Sequence, residues 1–240
     1  MEALLNTRNT GYFRQGIGAG VSIAVGYFPI ALTFGLLAKT TGLTFIETVM
    51  MSVFVFAGAA QYISLSLLAL GTGAFEVVLT TFIVNIRHFL MSASLSEKLE
   101  EDSLWKKAIY SFGITDETFT VISVKDGSIK TAYAFGVIVV SYLSWVINSG
   151  LGYLIGEILP TFLQASMSVA LYAMFVGLLV PSMKKSVKVV FLAGTAAIFN
   201  TVFLFTTSIS EGWSIVLATL MSALLIEFVQ LKTMKGGGHK

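Results

Sequence analysis

Cysteine is absent from the 240-residue chain, proline occurs three times and histidine twice. Without thiols there is no disulfide framework, no thiolate nucleophile and no Cys-ligated metal. Charge is scarce as well: 12% of residues are charged against 55% apolar, and the formal net charge is +2. Such a chain cannot clothe a soluble globule in a charged shell, and so weak a positive balance, spread over short loops, argues against a nucleic-acid partner. No period-two strand pattern competes, so the elements that cross the bilayer are helices rather than barrel strands.

What the chain does have is long apolar runs, with a mean hydropathy of +0.85. A helix needs roughly 20 apolar residues to cross about 30 Å of hydrocarbon. Runs of about that length are Gly16–Ala38, Phe45–Leu70, Ala74–Leu95, Thr131–Glu157, Phe162–Val180, Lys188–Thr207 and Gly212–Leu231. The first follows Arg8 and Arg14 but is too long and uninterrupted for a cleaved signal, and it reads as a span. The expected fold is all-α: a polytopic transmembrane helical bundle of seven to eight spans in a single domain over residues 1–240, with its motifs in 16–181 and C-terminal spans in 188–231. The uncertain span is Ala108–Val124, whose Thr115, Asp116 and Glu117 suit either a re-entrant piece or a crossing with its acids in a cavity. If it does not cross, Lys and Arg outside the spans divide as twelve (39, 98, 106, 107, 125, 130, 184, 185, 188, 232, 235, 240) against two (8, 14). If it crosses, the split is ten against four. The positive-inside rule therefore favours seven spans with the C-terminus in the cytoplasm.

Thr81–Met91 places Asn85, Arg87 and His88 in the middle of the third span. An arginine at that depth costs roughly 2.5 to 3.5 kcal/mol on insertion scales, which makes it a site hypothesis. At 100° per residue Thr81, Asn85, His88 and Ser92 share one stripe, and Arg87, Met91 and Ser94 form a second about 100° away, so both can face one polar cleft. Histidine titrates near neutral pH and suits a proton-coupled step. Arg87 alternatively pairs with an acid elsewhere, and His88 alternatively packs. Gln61, within Phe56-Ala-Gly-Ala-Ala-Gln61, reads equally as a ligand contact or as interhelical glue. Pro29, among glycines, predicts a kink or break near Tyr27–Pro29, either a plain proline kink with close glycine packing or a half-helix end whose freed backbone groups hold ions or zwitterions. Ser141, Ser144 and Asn148 line one helix stripe beside Trp145. A faint echo between Phe34-Gly-Leu-Leu37 and Val176-Gly-Leu-Leu179 permits inverted repeats with broken helices. No metal-binding or nucleophile motif spacing occurs, so an intramembrane enzyme and a resident cofactor are not expected.

In order along the chain, Pro29 with Phe34-Gly-Leu-Leu-Ala38, Phe56-Ala-Gly-Ala-Ala-Gln61, Asn85-Ile-Arg-His88 with Leu90-Met91, Thr115-Asp-Glu-Thr-Phe119 and the span Trp145–Gly156 together resemble the AzlC family. The likeness covers about Gly16–Pro181; the last two spans match only in hydropathy. The resemblance implies export of leucine, isoleucine, valine and related apolar amino acids across the bacterial cytoplasmic membrane, with a small multi-span AzlD-type subunit as partner. It carries the family motifs onto Gln61, Asn85, Arg87, His88, Asp116 and Glu117. A zwitterionic cargo needs a cation for its carboxylate, an anion for its ammonium and an apolar pocket. Arg87 or a half-helix end at Pro29 suits the first role, and Asp116 or Glu117 with Gln61 the second. A competing scheme pairs Arg87 with Asp116 or Glu117 as a gate. The rival classes are a passive channel and a non-transporting assembly subunit.

Overall fold

Apolar runs in which no water can satisfy the backbone must bond within themselves, and the runs accordingly form helices. The computed structural model describes residues 2–158, 160, 162, 166, 169, 176, 177, 179, 180, 182–184, 186–206, 209 and 211–236, with side chains described from Thr10 to Gln230 apart from Glu157 and Glu211. Seven helices precede residue 156: α1 (Glu2–Thr40), α2 (Phe45–Phe54), α3 (Gly58–Ala69), α4 (Ala74–Ser96), α5 (Leu104–Phe112), α6 (Asp116–Ser123) and α7 (Thr131–Ile155). A 3-10 turn, Gly156–Ile158, ends α7, and α8 (Val187–Thr206) and α9 (Glu211–Gly236) follow. Among the described residues no strand forms, and the helical segments Thr10–Thr40, Ala74–Ser96, Thr131–Ile155, Val187–Thr206 and Gly212–Gln230 are long and apolar enough to cross a membrane. The expected span Phe162–Val180 lies largely outside the described residues.

The chain divides into two compact units, one made of residues 1–65 and 84–172 and the other of residues 66–83 and 173–240. The seam of the first unit is the packing of α1 on α7, and glycines make it possible. A Cβ on Gly35 would fall 2.0 Å from the Ser149 carbonyl oxygen, and one on Gly152 2.0 Å from that of Leu32. Gly16 and Gly136 face each other in the same way one end further along. With no side chain between them the backbones touch, as small-residue helix pairs in membranes do. Phe34, Ala31 and Ala38 of α1 and Val137, Ala134 and Trp145 of α7 are buried along this seam.

Two expectations about helix continuity are corrected. α1 runs unbroken through Pro29. The proline costs the ladder one N–H, yet close packing on α7 holds the helix, and the Thr33 hydroxyl donates to the Pro29 carbonyl at 2.8 Å. Pro29 therefore supplies no half-helix end. The break lies instead in the second expected span, where α2 stops at Phe54 and α3 restarts at Gly58. Val55 leaves the helical region with φ −123° and ψ 79°, and Ala57 N–H bonds the Val55 carbonyl at 2.9 Å. No proline sits there; the cause is tertiary, because Gly58 comes so close to the Trp145 ring that a Cβ would lie 2.8 Å from it.

Ala108–Val124 is a second discontinuous piece. α5 and α6 hold 9 and 8 residues, so each is only about 12 to 14 Å long and neither crosses alone. Between them Gly113 admits Ile138 of α7, whose Cγ2 lies 2.1 Å from where a Cβ would be. Thr115 then caps α6 in a reciprocal box with Thr118.

In the second unit α8 packs on α9, and Lys188 pairs with Glu227 at 2.7 Å. Glu76, in the first turn of α4, accepts the Trp213 N–H at 3.1 Å and so covers a donor at the start of α9.

Gly152→Ala is expected to force α1 and α7 apart and cost about 1 to 3 kcal/mol or more. Gly18→Ala, with nothing within 4 Å of its Cβ, is expected to be neutral or mildly stabilising. Thermal unfolding in detergent separates the two.

Candidate functional site

The polar groups singled out in the sequence meet in the first unit at the N-terminal turn of α6. α4 carries Arg87 mid-helix, and its Nη1 lies 2.8 Å from Asp116 Oδ2. The guanidinium remains 37% exposed and the carboxylate 23%, so the pair is half-wet rather than sealed. Two further polar atoms of α4, Arg87 Nε and Asn85 Oδ1, are buried without a partner among the described residues. His88, half-buried on the same helix, lies within electrostatic reach of both Arg87 and Glu117.

Asp116 and Glu117 are neighbours in sequence but turn to different helices. Asp116 meets the cation on α4, whereas Glu117 Oε2 accepts from the Tyr27 hydroxyl of α1 at 2.6 Å. The Tyr27 oxygen also lies 2.7 Å from Thr115 Oγ1, in the residue that caps α6. One turn of one short helix thus joins α1 to α4. Its net charge is one acid in excess of the paired arginine.

The Tyr27 ring extends the assembly to the other broken helix. It stands edge-on to Trp145 at 5.1 Å and to Phe56, in the break between α2 and α3, at 6.2 Å. Tyr142 reaches both breaks: its ring meets Phe56 at 5.3 Å and Phe112 at 6.0 Å, and its hydroxyl donates to the Val53 carbonyl at 2.9 Å. Ile138, Tyr142 and Trp145 lie on one stripe of α7, so that face positions both discontinuities.

Gln61 sits at the far side of Trp145, fully buried. Its Oε1 accepts the indole N–H at 2.7 Å, and its Nε2 donates to Ser52 Oγ at 3.1 Å across the break. Both ends of the amide are thereby engaged in holding α2, α3 and α7 together. Asn148 donates to the Ser144 carbonyl at 2.7 Å and to Ser144 Oγ at 3.2 Å within α7, while Ser144 Oγ donates to the Ala24 carbonyl at 2.8 Å. These contacts fasten α7 to α1.

The structure therefore brings Arg87, Asp116, Glu117 and His88 together, gives Gln61 and Asn148 packing partners, and leaves Pro29 inside a helix. Tyr27, Thr115 and Ser52 were not singled out as site residues in the sequence. A capping signal was present at Thr115, but a tyrosine in an apolar span carries no local mark. Among the described residues no group of three His, Asp or Glu side chains is placed to hold a metal ion.

Comparison with known proteins adds an independent line. The family model described as AzlC protein matches residues 22–159. A membrane protein of Archaeoglobus fulgidus is 32% identical over 174 residues, 72% of this chain and 76% of that protein. The inner membrane protein YgaZ of Escherichia coli is 29% identical over 182 residues, 72% of this chain and 74% of its own. The Bacillus subtilis branched-chain amino acid transport protein AzlC is 25% identical over 149 residues, 60% of this chain and 58% of its own. No solved structure matches the chain significantly.

Trp145→Phe removes the donor to Gln61 Oε1 and strands a buried carbonyl. The expected cost is about 1 to 3 kcal/mol in thermal or denaturant unfolding, with Gln61→Leu in the same background recovering part of it.

Proposed function

The chain belongs to the AzlC family, and from that premise we propose that it is a secondary transporter that exports branched-chain and other apolar amino acids across the cytoplasmic membrane in exchange for protons. It works with a small AzlD-type membrane subunit, and its C-terminus faces the cytoplasm. The reading is supported by one observation above all. A guanidinium placed mid-helix in a span is matched at 2.8 Å by a carboxylate on a short, discontinuous helix, with a second carboxylate on the next residue held by a neutral hydroxyl. Opposite charges at a helix break are what a small solute with one positive and one negative end requires.

The pairing favours a gate. While Arg87 and Asp116 hold each other, neither is free for cargo, and the carboxylate of an amino acid competes with Asp116 for the guanidinium. In this scheme Glu117, with no cationic partner among its hydrogen bonds, receives the ammonium group. His88 or the acidic pair carries the proton. Aliphatic cargo is only weakly sorted, since one methylene is worth about 1 to 3 kcal/mol. Gln61 is assigned no ligand role here, because both ends of its amide are already bonded.

The deciding measurement is labelled-leucine counterflow in proteoliposomes, with and without a pH gradient and the small subunit. Saturable counterflow accelerated by the gradient is expected. Flux that is linear in leucine would mean a channel, and none under any condition an assembly subunit. Arg87→Gln and Asp116→Asn are each expected to abolish most transport. Because the guanidinium here also receives the cargo carboxylate, the exchange Arg87→Asp with Asp116→Arg is expected to restore little; recovery of a large part would make the pair a gate alone, with no contact to the cargo.

A further inference from the structure

We propose that Tyr27 is a positioning residue whose hydroxyl holds Glu117 and the first turn of α6 in place, and whose ring ties that turn to the break between α2 and α3. The side chain is 4% exposed, and its hydroxyl has two partners on the other element, Thr115 Oγ1 at 2.7 Å and Glu117 Oε2 at 2.6 Å. A hydrogen bond to a charged acceptor is among the stronger single bonds in a protein.

The platform behind it is rigid. Tyr27 lies on α1 between Gly20 and Gly35, both packed backbone to backbone on α7. α6, in contrast, has 8 residues, too few to be stable through its own ladder, so its place depends on tertiary bonds. Its buried face packs on α7 and α1, and polar contacts among the described residues pin its ends. At its first turn they are the Arg87 pair toward α4 and the Tyr27 pair toward α1, and at its last turn Lys98 Nζ donates to the Ser123 carbonyl at 2.9 Å. A short helix held at its first turn by two side chains moves when either lets go.

The ring contacts give the same tyrosine a second attachment. Edge contacts to Trp145 and Phe56 place it against the face of α7 that Gly58 also touches. Release of the α6 turn therefore changes the surroundings of the other break. That the release accompanies amino-acid turnover rests on the transporter reading; that Tyr27 holds α6 does not.

The chain has no cysteine, so one introduced thiol reports without background. Ile122 lies on the buried face of α6 at 0% exposure, and Ile122→Cys is expected to react only slowly with a water-soluble thiol reagent in proteoliposomes. Adding Tyr27→Phe is expected to raise the labelling rate at least about tenfold, from the loss of one bond to a charged acceptor. Glu117→Ala is expected to give the same rate, and the double variant no further increase. Glu117→Gln keeps an acceptor but loses its charge, and is expected to fall between the parent and Glu117→Ala. Tyr62→Phe removes another buried tyrosine hydroxyl of the same unit, bonded to the Ile30 carbonyl at 2.6 Å, and leaves labelling unchanged. The proposal is overturned if Tyr27→Phe labels no faster than Tyr62→Phe, or if the Tyr27 and Glu117 effects add. Leucine counterflow in the same vesicles is read separately. With Tyr27→Phe, KM rises several-fold while the maximal rate falls less. Absence of counterflow in the parent overturns the transporter reading and leaves the labelling result standing, whereas an unchanged KM beside faster labelling confines Tyr27 to holding α6 and overturns its link to the cargo.

Discussion

Backbone contact between α1 and α7 is the constraint from which the first unit follows. Most helices keep their partners 8 to 10 Å away with intervening side chains. Here Gly16, Gly35, Gly136 and Gly152 remove those side chains, and carbonyl oxygens of one helix meet the main chain of the other. In a bilayer this matters more than in water, because apolar surface gains nothing by leaving lipid and dispersion at close range is left to hold helices together. The seam also orients everything that lines the site. α1 presents Tyr27 and α7 presents Ile138, Tyr142 and Trp145 because the glycines fix the rotation of each helix about its axis.

On that base the two discontinuous helices are built by subtraction as well. Gly58 and Gly113 let the breaks press onto Trp145 and Ile138, and the open backbone is partly satisfied by side chains: Tyr142 on the Val53 carbonyl, Thr118 on the Gly113 carbonyl at 3.0 Å. Irregular backbone at membrane depth is tolerated where protein buries it. Phe56 and Ala57 in one stretch and Gly113 to Thr115 in the other are buried, while Val55 remains exposed.

Much of this was legible in the sequence, and the exceptions are instructive. Apolar length located α4, α7, α8 and α9 because period and length dominate a crossing helix. The cost of burying charge pointed to Arg87, Asp116 and Glu117, and the gate alternative named the pairing now seen at 2.8 Å. At Pro29 either a kink with close glycine packing or a break was expected, because proline is the visible helix breaker, and α1 shows the packing without the break. The break occurs at Val55–Ala57, where no residue breaks a helix by itself and the reason, contact of Gly58 with Trp145, is 87 residues away in sequence. Gln61 was read as ligand or glue with equal weight, since an amide looks the same in either use; in the structure its amide bonds Trp145 and Ser52. Tyr27 carried no signal, because a tyrosine in an apolar helix is ordinary until its hydroxyl finds an acid.

The touching seam has one more consequence. Two helices whose main chains interlock through missing side chains cannot slide by even an ångström without collision, so they behave as a single beam. The short helices α2, α3, α5 and α6 are set against that beam by ring contacts and hydrogen bonds rather than by interlocked main chains.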